Sequence, residues 1–424
     1  MHDIPARPPR DQRLDIVRGW LQLSIFATHA GGTFIGGWCI HAAWGFSDSS
    51  ELFVFLSGFT LGSVFAYNAA RGGWRVGTID LLRRTRRLYR MHLLVLLLFG
   101  VMVAVAGATI LPGEVTRLRW DFLAADPVRA VPGLLSMLYQ PEFMGILPVF
   151  VWCMLLLPGF VAAQRRWGGA ALLLPVSCYA AVWAFGLAMP SLQPGGNIQF
   201  HPFAWQVLFL IGAWLGRRAL LQGEALPFRA AWARAALWAA FAVLAAGLLM
   251  RLTWYGFTPW PAPLGELTWI EGKENLAPPR LLHAMALAFV VAALVPRDAP
   301  WMHRALPRAV ARIGQYSLEV FCLGLFLSWA ASAVFRLAPA HGVAFAVEDV
   351  ALIGLGGVLL ARFAALLDRR RTSRRGIETA NGAQEKTRTS TTLRPQVPET
   401  CASTNSATWA GAPGNDRDSG RPAI

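Results

Sequence analysis

The strongest constraint on the fold is a series of long apolar stretches that runs through most of the 424 residues. A membrane-spanning helix needs about 20 mainly apolar residues, and ten stretches meet that requirement, centred near residues 24, 57, 100, 152, 180, 210, 241, 288, 322 and 354. The composition agrees, because 55% of the residues are hydrophobic, only 15% are charged and the mean hydropathy is +0.43. The sequence therefore predicts an all-α, polytopic membrane bundle of about ten transmembrane helices.

Arginine marks every second connection between the apolar stretches. The N-terminal arm, the second, fourth, sixth and eighth connections and the start of the C-terminal tail are basic, whereas the other connections are neutral or of mixed charge. By the positive-inside rule, this alternation predicts that both termini are cytoplasmic. It also accounts for the net charge of +15 without nucleic acid as a partner, because the arginines flank apolar stretches and form no single basic face.

Three regions are predicted along the chain: a cytoplasmic N-terminal arm over residues 1–12, a membrane domain over residues 13–367 and a cytoplasmic tail over residues 368–424. The tail is rich in Ser, Thr, Gly, Pro and charge, so it has too little apolar surface to offset chain entropy and is predicted to be disordered. No cleavable signal peptide is expected, because the first apolar stretch lacks a cleavage pattern. The five cysteines have no zinc-type spacing, so no metal site is predicted.

Two ionisable residues stand in the first apolar stretch, RGWLQLSIFATH. On one helix, Arg18 and His29 are separated by about 16 Å and lie on nearly the same face. An arginine at the end of a span is commonly a topology signal, whereas a histidine well inside an apolar run is costly and usually faces a polar cavity. His29 is therefore the main candidate for a catalytic group, and a histidine that is only hydrogen-bonded within the bundle is the alternative.

Two carboxylates open the second apolar stretch, WGFSDSSELFVFLSGFTLG. Asp48 and Glu51 are three positions apart and share a helix face, so either one is a candidate to orient His29. The same two residues also fit a capping box at the start of a helix. Ser57 and Gly58 are small, and we interpret them as helix-packing residues.

A cluster of arginines, RRTRRLYR, lies at the predicted cytoplasmic entrance of the third span. Such runs commonly set topology or bind anionic lipid, but arginine forks also match phosphate oxygens, and Arg83, Arg84 and Arg87 offer several forks. A membrane histidine, a carboxylate and a cytoplasmic arginine cluster together fit acyl transfer from a coenzyme A thioester. In that reaction imidazole removes a hydroxyl proton and arginines hold the phosphates.

These motifs resemble those of the integral-membrane acyltransferase-3 superfamily, and within it the chain most resembles the OpgC family, which adds succinyl groups to osmoregulated periplasmic glucans. Arg18 with His29 matches the R-X10-H motif, ELFVFLSGF resembles the second-helix signature, and Arg84-x-x-Arg87 looks like the arginine motif. The resemblance extends from residue 13 to about residue 329 through GILPVFVWCMLLLP, HPFAWQVLFLIGAWLG and RIGQYSLEVFCLGLFLS. It departs from the family after the histidine, where HAGGTFIGG lacks the usual proline-containing turn.

The resemblance implies a multi-pass acyltransferase of the bacterial inner membrane that has no bound cofactor. It implies succinyl-CoA or acetyl-CoA as donor, a periplasmic glucan as acceptor and the lipid bilayer as surroundings. The implied catalytic residues are His29, as a base or as a transiently acylated group, Arg18, which would support the donor or developing negative charge, and Glu51 or Asp48, which would orient His29. The implied donor-binding residues are Arg84, Arg87 and Arg83.

Two alternatives stay open at this level. An O-acetyltransferase of another envelope glycan would share the motifs, and a transporter or flippase would also bury ionisable residues in a polar pathway. Within HPFAWQ, His201 and Trp205 are interpreted as part of an interfacial aromatic belt.

Overall fold

The computed structural model describes residues 11–31, 34–196, 198–228, 230–258, 272–297 and 299–391, with side chains up to residue 373. Helices joined by turns and short 3₁₀ or π segments make up this part of the chain, which contains no strand. The helices are α1 (Gln12–His29), α2 (Ser49–Thr109), α3 (Glu114–Arg117), α4 (Asp121–Ala125), α5 (Pro127–Ser136), α6 (Ile146–Trp167), α7 (Leu173–Phe185), α8 (Pro202–Gln222), α9 (Ala231–Trp254), α10 (Pro278–Leu294), α11 (Ala305–Gln315), α12 (Ser317–Leu337) and α13 (Gly342–Thr391).

The predicted all-helical class is confirmed, and each of the ten predicted span centres falls within a helix. Among the described residues, five helical segments are long and apolar enough to cross a membrane: Ser49–Thr109, Ile146–Phe185, Ala231–Trp254, Ser317–Leu337 and Gly342–Ser373. The first two segments each contain two of the predicted centres. The number of ten spans and the cytoplasmic placement of both termini stay predictions.

Helix α2 contains a sharp reversal of the chain. Gly73 has φ 80° and ψ 173°, a conformation that is essentially restricted to glycine. Asn68 Nδ2 donates to Asp80 Oδ2 over 2.9 Å, although twelve residues of straight helix would separate the two positions by about 18 Å. The chain therefore turns back at Gly73, and the two arms of α2 correspond to the second and third predicted spans.

The first arm of α2 packs against α8 with the two backbones in contact. A Cβ atom added to Gly58 would lie 1.9 Å from the carbonyl oxygen of Phe209, and one added to Gly216 would lie 1.8 Å from that of Phe59. Only glycine allows so close an approach between helices. The interpretation of Gly58 as a packing residue is therefore confirmed.

Helix α1 lies among α2, α11 and α12, which places its polar side chains in the interior. The approach of α11 is again close, since a Cβ atom at Gly314 would lie 1.9 Å from the carbonyl oxygen of Asp15. Gln22 and Ser24 of α1 are buried, at 3% and 1% exposure. The first apolar stretch of the sequence is thus an interior helix of the bundle.

The C-terminal part of the chain is helical beyond the predicted start of the tail. By its internal contacts the chain divides into a unit of residues 1–369 and a unit of residues 370–424. Helix α13 continues to Thr391, past residue 368. Residues 1–10 and 392–424 lie outside the described residues, so the N-terminal arm and the disorder of the tail stay predictions.

Candidate active site

A cavity of about 280 Å³ lies beside His29 and is built from segments that are far apart in the sequence. The end of α1, the start of α2, α12 and the loops before α6, α8 and α10 all contribute to its lining. These three loops are the third, fifth and seventh connections, which the arginine alternation predicts to lie on one side of the membrane. The polar side chains of the lining are His29, Ser50, Glu142, Gln199, Lys273 and Glu274.

The imidazole of His29 is oriented by the backbone of its own helix. Nδ1 lies 2.9 Å from the carbonyl oxygen of Ile25, and because a carbonyl oxygen only accepts, Nδ1 carries the proton. The neutral ring then has its lone pair on Nε2. A histidine in this tautomer is equipped to accept a proton at Nε2.

Phe143 packs against the imidazole from a strained backbone position. Its φ of 70° lies in the left-handed region, which costs a bulky residue about 1 kcal/mol or more. The ring centroid of Phe143 lies 5.5 Å from that of His29 and 5.5 Å from that of Phe99. The strain is therefore located beside the candidate catalytic group, where such strain commonly accompanies function.

Asp48 and Glu51 form the capping box that the sequence allows. Asp48 Oδ1 accepts from the backbone N–H of Ser50 at 2.7 Å, and Glu51 Oε2 accepts from the backbone N–H of Asp48 at 2.9 Å. Their other oxygens bind Arg280, whose Nη2 lies 2.5 Å from Glu51 Oε1 and 3.0 Å from Asp48 Oδ2. One of these carboxylates was predicted to orient His29 through a hydrogen bond. The carbonyl oxygen of Ile25 makes that hydrogen bond instead.

Lys273 connects these carboxylates with the cavity. Its Nζ lies 2.7 Å from Asp48 Oδ2 and 5.3 Å from the centroid of the Phe200 ring. Lys273 and His29 both line this cavity. Lys273 belongs to no motif of the sequence, although one signal marks it: Lys273 and Lys386 are the only lysines among the 39 basic residues of the chain.

His201 and Trp205 are interior residues, at 4% and 0% exposure, so the prediction of an interfacial belt is wrong. Trp205 Nε1 donates to the backbone carbonyls of Lys273 and Glu274 at 3.0 and 3.1 Å, and the backbone N–H of His201 donates to the same Glu274 carbonyl at 3.0 Å. The start of α8 therefore fixes the loop that carries Lys273. An aromatic residue near a predicted span end looks alike in sequence whether it faces lipid or holds a loop.

Arg18 binds the first arm of α2. Its Nη2 donates to the carbonyl oxygen of Leu56 at 2.7 Å and to Thr60 Oγ1 at 2.6 Å, both on the first arm of α2. Arg18 and His29 share α1 as predicted, but their side chains meet different neighbours. Arg18 is not part of the cavity lining.

The arginine cluster lies on the second arm of α2, where Arg83, Arg84 and Arg87 are exposed. Arg84 Nε binds Asp80 Oδ2 at 2.8 Å, and Arg87 Nη2 forms a short contact with Glu319 Oε1. Glu319 lies in the first turn of α12, two residues before Phe321, which lines the cavity. The arginine cluster thus reaches the helix that lines the cavity at Phe321 and Leu325.

Over the described residues, no group of His, Cys, Asp and Glu is suited to hold a metal ion.

Together these features define an all-helical membrane protein whose interior cavity contains an oriented histidine. The family model described as OpgC protein matches residues 10–372. Because this match covers most of the chain, the chain belongs to the OpgC protein family. Neither the curated proteins nor the solved structures gave a match.

Proposed function

We propose that this protein is an O-acyltransferase that moves an acyl group, succinyl from succinyl-CoA, to hydroxyl groups of a periplasmic glucan. Membership of the OpgC family supports an acyltransferase that acts in periplasmic glucan modification. The observation that carries the proposal is the cavity in which Nδ1 of His29 is held by the Ile25 carbonyl. We place the chain in the acyltransferase-3 superfamily and in the bacterial inner membrane on its motifs and arginine alternation.

His29 acts as the general base in the proposed reaction. Nε2 takes the proton of an acceptor hydroxyl, and the oxygen attacks the thioester carbonyl carbon. Collapse of the tetrahedral intermediate expels the coenzyme A sulfur, which receives the proton from the imidazolium. Because His29 is the last residue of α1, the carbonyl ends of the helix favour the imidazolium while it exists.

The donor enters from the side of the arginine cluster. Arg84 and Arg87, joined by Arg83, hold the coenzyme A phosphates, for which their forks are suited. From Glu319, which contacts Arg87, α12 leads in six residues to Leu325 in the cavity lining, a rise of about 9 Å. The pantetheine arm follows this wall towards His29.

The acceptor approaches from the loops on the other side of the cavity, which are predicted to face the periplasm. Glu142 Oε2 accepts from Gln199 Nε2 at 2.9 Å, so a carboxylate and an amide stand together at the lining. Such groups bind sugar hydroxyls through hydrogen bonds. The glucan hydroxyl to be acylated is thereby brought to Nε2 of His29.

The test is release of free coenzyme A by the purified protein in the presence of periplasmic glucan extracted from cells that lack the gene. Succinyl-CoA and acetyl-CoA are supplied in parallel, and the glucan is analysed by mass spectrometry. We expect glucan-dependent thiol release and succinylated glucan with succinyl-CoA. Acetylated glucan alone would identify an O-acetyltransferase, and no release with either donor would favour a transporter or flippase.

A further inference from the structure

We propose that Lys273 is a further catalytic residue, which stabilises the negative charge that forms on the thioester carbonyl oxygen during acyl transfer. This inference rests on the proposed acyltransferase function and adds a second group at the reacting atoms. It also moves the role of supporting developing charge from Arg18, which is bound to the first arm of α2, to a residue that lines the cavity.

The cavity lining offers one ammonium group to a developing negative charge. When the hydroxyl oxygen attacks the thioester carbonyl, the electrons of the C=O bond move to the carbonyl oxygen, and an oxyanion forms. Among the lining side chains that the structure describes, Glu142 and Glu274 have carboxylates, and Lys273 has the one ammonium group. Two carboxylates would raise the energy of an oxyanion, so the ammonium group is the side chain that can stabilise it.

The ammonium group of Lys273 is held in place before any substrate binds. Asp48 Oδ2 anchors Nζ at 2.7 Å, and Asp48 is itself fixed by the capping box of α2. The backbone of the Lys273 segment is fixed by Trp205. A donor whose position is set in advance stabilises a transition state without the cost of reorganisation.

Asp48 pairs with Arg280 as well as with Lys273, so it occupies only part of the Lys273 ammonium group. Arg280 Nη2 lies 3.0 Å from Asp48 Oδ2, and the Arg280 side chain is only 6% exposed. Arg280 Nη2 also lies 2.5 Å from Glu51 Oε1, so Arg280 and Lys273 together face two carboxylates. An ammonium group has three N–H donors, and the bond to Asp48 uses one of them, which leaves donors for a ligand in the cavity.

The cation at position 273 is a lysine in a chain whose basic residues are almost all arginine. The chain uses arginine for all but two of its 39 basic residues, and one of the two lysines lines the cavity. The guanidinium of arginine is a planar fork, whereas the ammonium of lysine is a compact charge that fits beside a single oxygen atom. The reacting carbonyl presents one such oxygen.

In the proposed transfer every proton and every bond that changes is accounted for. Nε2 of His29 takes the hydroxyl proton, a C–O bond forms, and the carbonyl oxygen becomes the oxyanion beside the Lys273 ammonium. The oxyanion then re-forms the C=O bond, the C–S bond breaks, and the sulfur takes the proton from His29. The products are the ester and free coenzyme A, and Lys273 keeps its protons throughout.

The test compares the kinetics of Lys273→Met and Lys273→Gln with the wild type, using succinyl-CoA and extracted periplasmic glucan. Loss of a transition-state donor is expected to lower kcat by about 10²–10³, while the KM values of donor and glucan change by less than about threefold. Arg129→Gln is the control, because it removes an exposed cation that pairs only at the surface with Asp126. Retention of kcat within about threefold in both lysine variants would overturn the proposal.

A second comparison separates catalysis from a structural ion pair. Asp48→Asn keeps the cap, since Asn caps helices as well as Asp, and the double variant Asp48→Asn/Lys273→Met leaves neither charge alone. We expect the double variant to regain the thermal stability of the wild type but to remain as slow as Lys273→Met. Recovery of kcat to the level of Asp48→Asn would show that Lys273 only balances Asp48. If the wild type itself transfers no acyl group, the proposed function fails, whereas an active wild type with active lysine variants refutes this inference alone.

Discussion

Nδ1 of His29 lies 2.9 Å from the carbonyl oxygen of Ile25, one turn earlier in α1. In many acid–base sites a carboxylate holds the histidine that acts as the base. Here the helix backbone takes that position, and the nearby carboxylates of Asp48 and Glu51 bind Arg280 instead. The tautomer of His29 is therefore set by the end of its own helix.

His29→Gln is expected to lower kcat by at least about 10² because a general base contributes about 10²–10⁴ in rate. Glutamine keeps hydrogen-bonding capacity, so insertion and thermal stability should match the wild type. Acyl transfer by protein purified at equal yield is the measurement, and His303→Gln, an exposed histidine, is the control. Turnover of His29→Gln within a few-fold of the wild type would remove His29 from the mechanism.

Arg84→Lys and Arg87→Lys should each raise the KM for the acyl-CoA donor with little change in kcat. Lysine keeps the charge but loses the bidentate fork that matches phosphate, so uniform binding is weakened. Initial rates over a range of donor concentrations provide the measurement. Arg75→Lys, on the same arm and also exposed, serves as the control. Unchanged donor kinetics in both variants would reduce the cluster to a topology signal.

Glu319→Gln should change the donor KM in the opposite direction. Glu319 binds Arg87 and therefore competes with a phosphate for the same fork. Its neutralisation releases Arg87, so the KM for acyl-CoA is expected to fall, by up to about fivefold for an exposed ion pair worth up to about 1 kcal/mol. A raised donor KM would show that Glu319 positions Arg87 and does not compete for it.

Glu114→Gln should destabilise the fold. Glu114 is 1% exposed and accepts from Arg117, Arg336 and Trp329, which ties α3 to α12. Although burial opposes ionisation, these hydrogen bonds lower the pKa of Glu114 to about 2 from 4.5, so the ionised carboxylate stabilises the fold. A fall in the thermal denaturation midpoint in detergent is the measurement. Asp126→Asn, in a surface pair, should lose less than about 1 kcal/mol.

The same shift predicts a pH dependence. Because the folded pKa of Glu114 lies below its ordinary value, its contribution is complete above about pH 4.5 and is lost as the pH falls towards 2. The wild type should therefore lose stability over that range more steeply than Glu114→Gln. Parallel curves for the two proteins would show that Glu114 is not the titrating group.

Reporter fusions after Arg75 and near Asn275 should report opposite sides of the membrane. The alternation of arginine predicts a cytoplasmic position for Arg75 and a periplasmic position for the loop that carries Asn275. A phosphatase reporter active at Asn275 and inactive at Arg75 is the expected result. Activity at both positions, or at neither, would overturn the topology and with it the direction proposed for acyl transfer.

The sequence was sufficient to predict the helices and to mark His29 as a histidine that faces a cavity. Long apolar stretches are a local signal, and all ten centres predicted from them fall in helices. The depth of His29 in an apolar run is also a local signal, and His29 indeed lines the cavity. The capping box of Asp48 and Glu51 needed only a spacing of three residues.

The contacts of Glu51 and Asp48 could not be predicted from the sequence, because they depend on packing between segments that are far apart along the chain. Arg280 meets Glu51 across 229 positions, and no local pattern announces such a contact. Lys273 lies in a short polar loop of mixed charge, where a solvated surface was the expected role. A reversal between the second and third spans was predicted, but its position at Gly73 was not, because helical residues continue on both sides of it.

The glycine contact between the first arm of α2 and α8 limits how this protein can move. With the backbones touching at Gly58 and Gly216, neither helix can slide or rotate past the other without a collision of main-chain atoms. The pair therefore behaves as a rigid strut. The cavity also borders α12 at Phe321 and Leu325, so a change of shape that admits a long acyl donor and a bulky sugar is expected there and not at the strut.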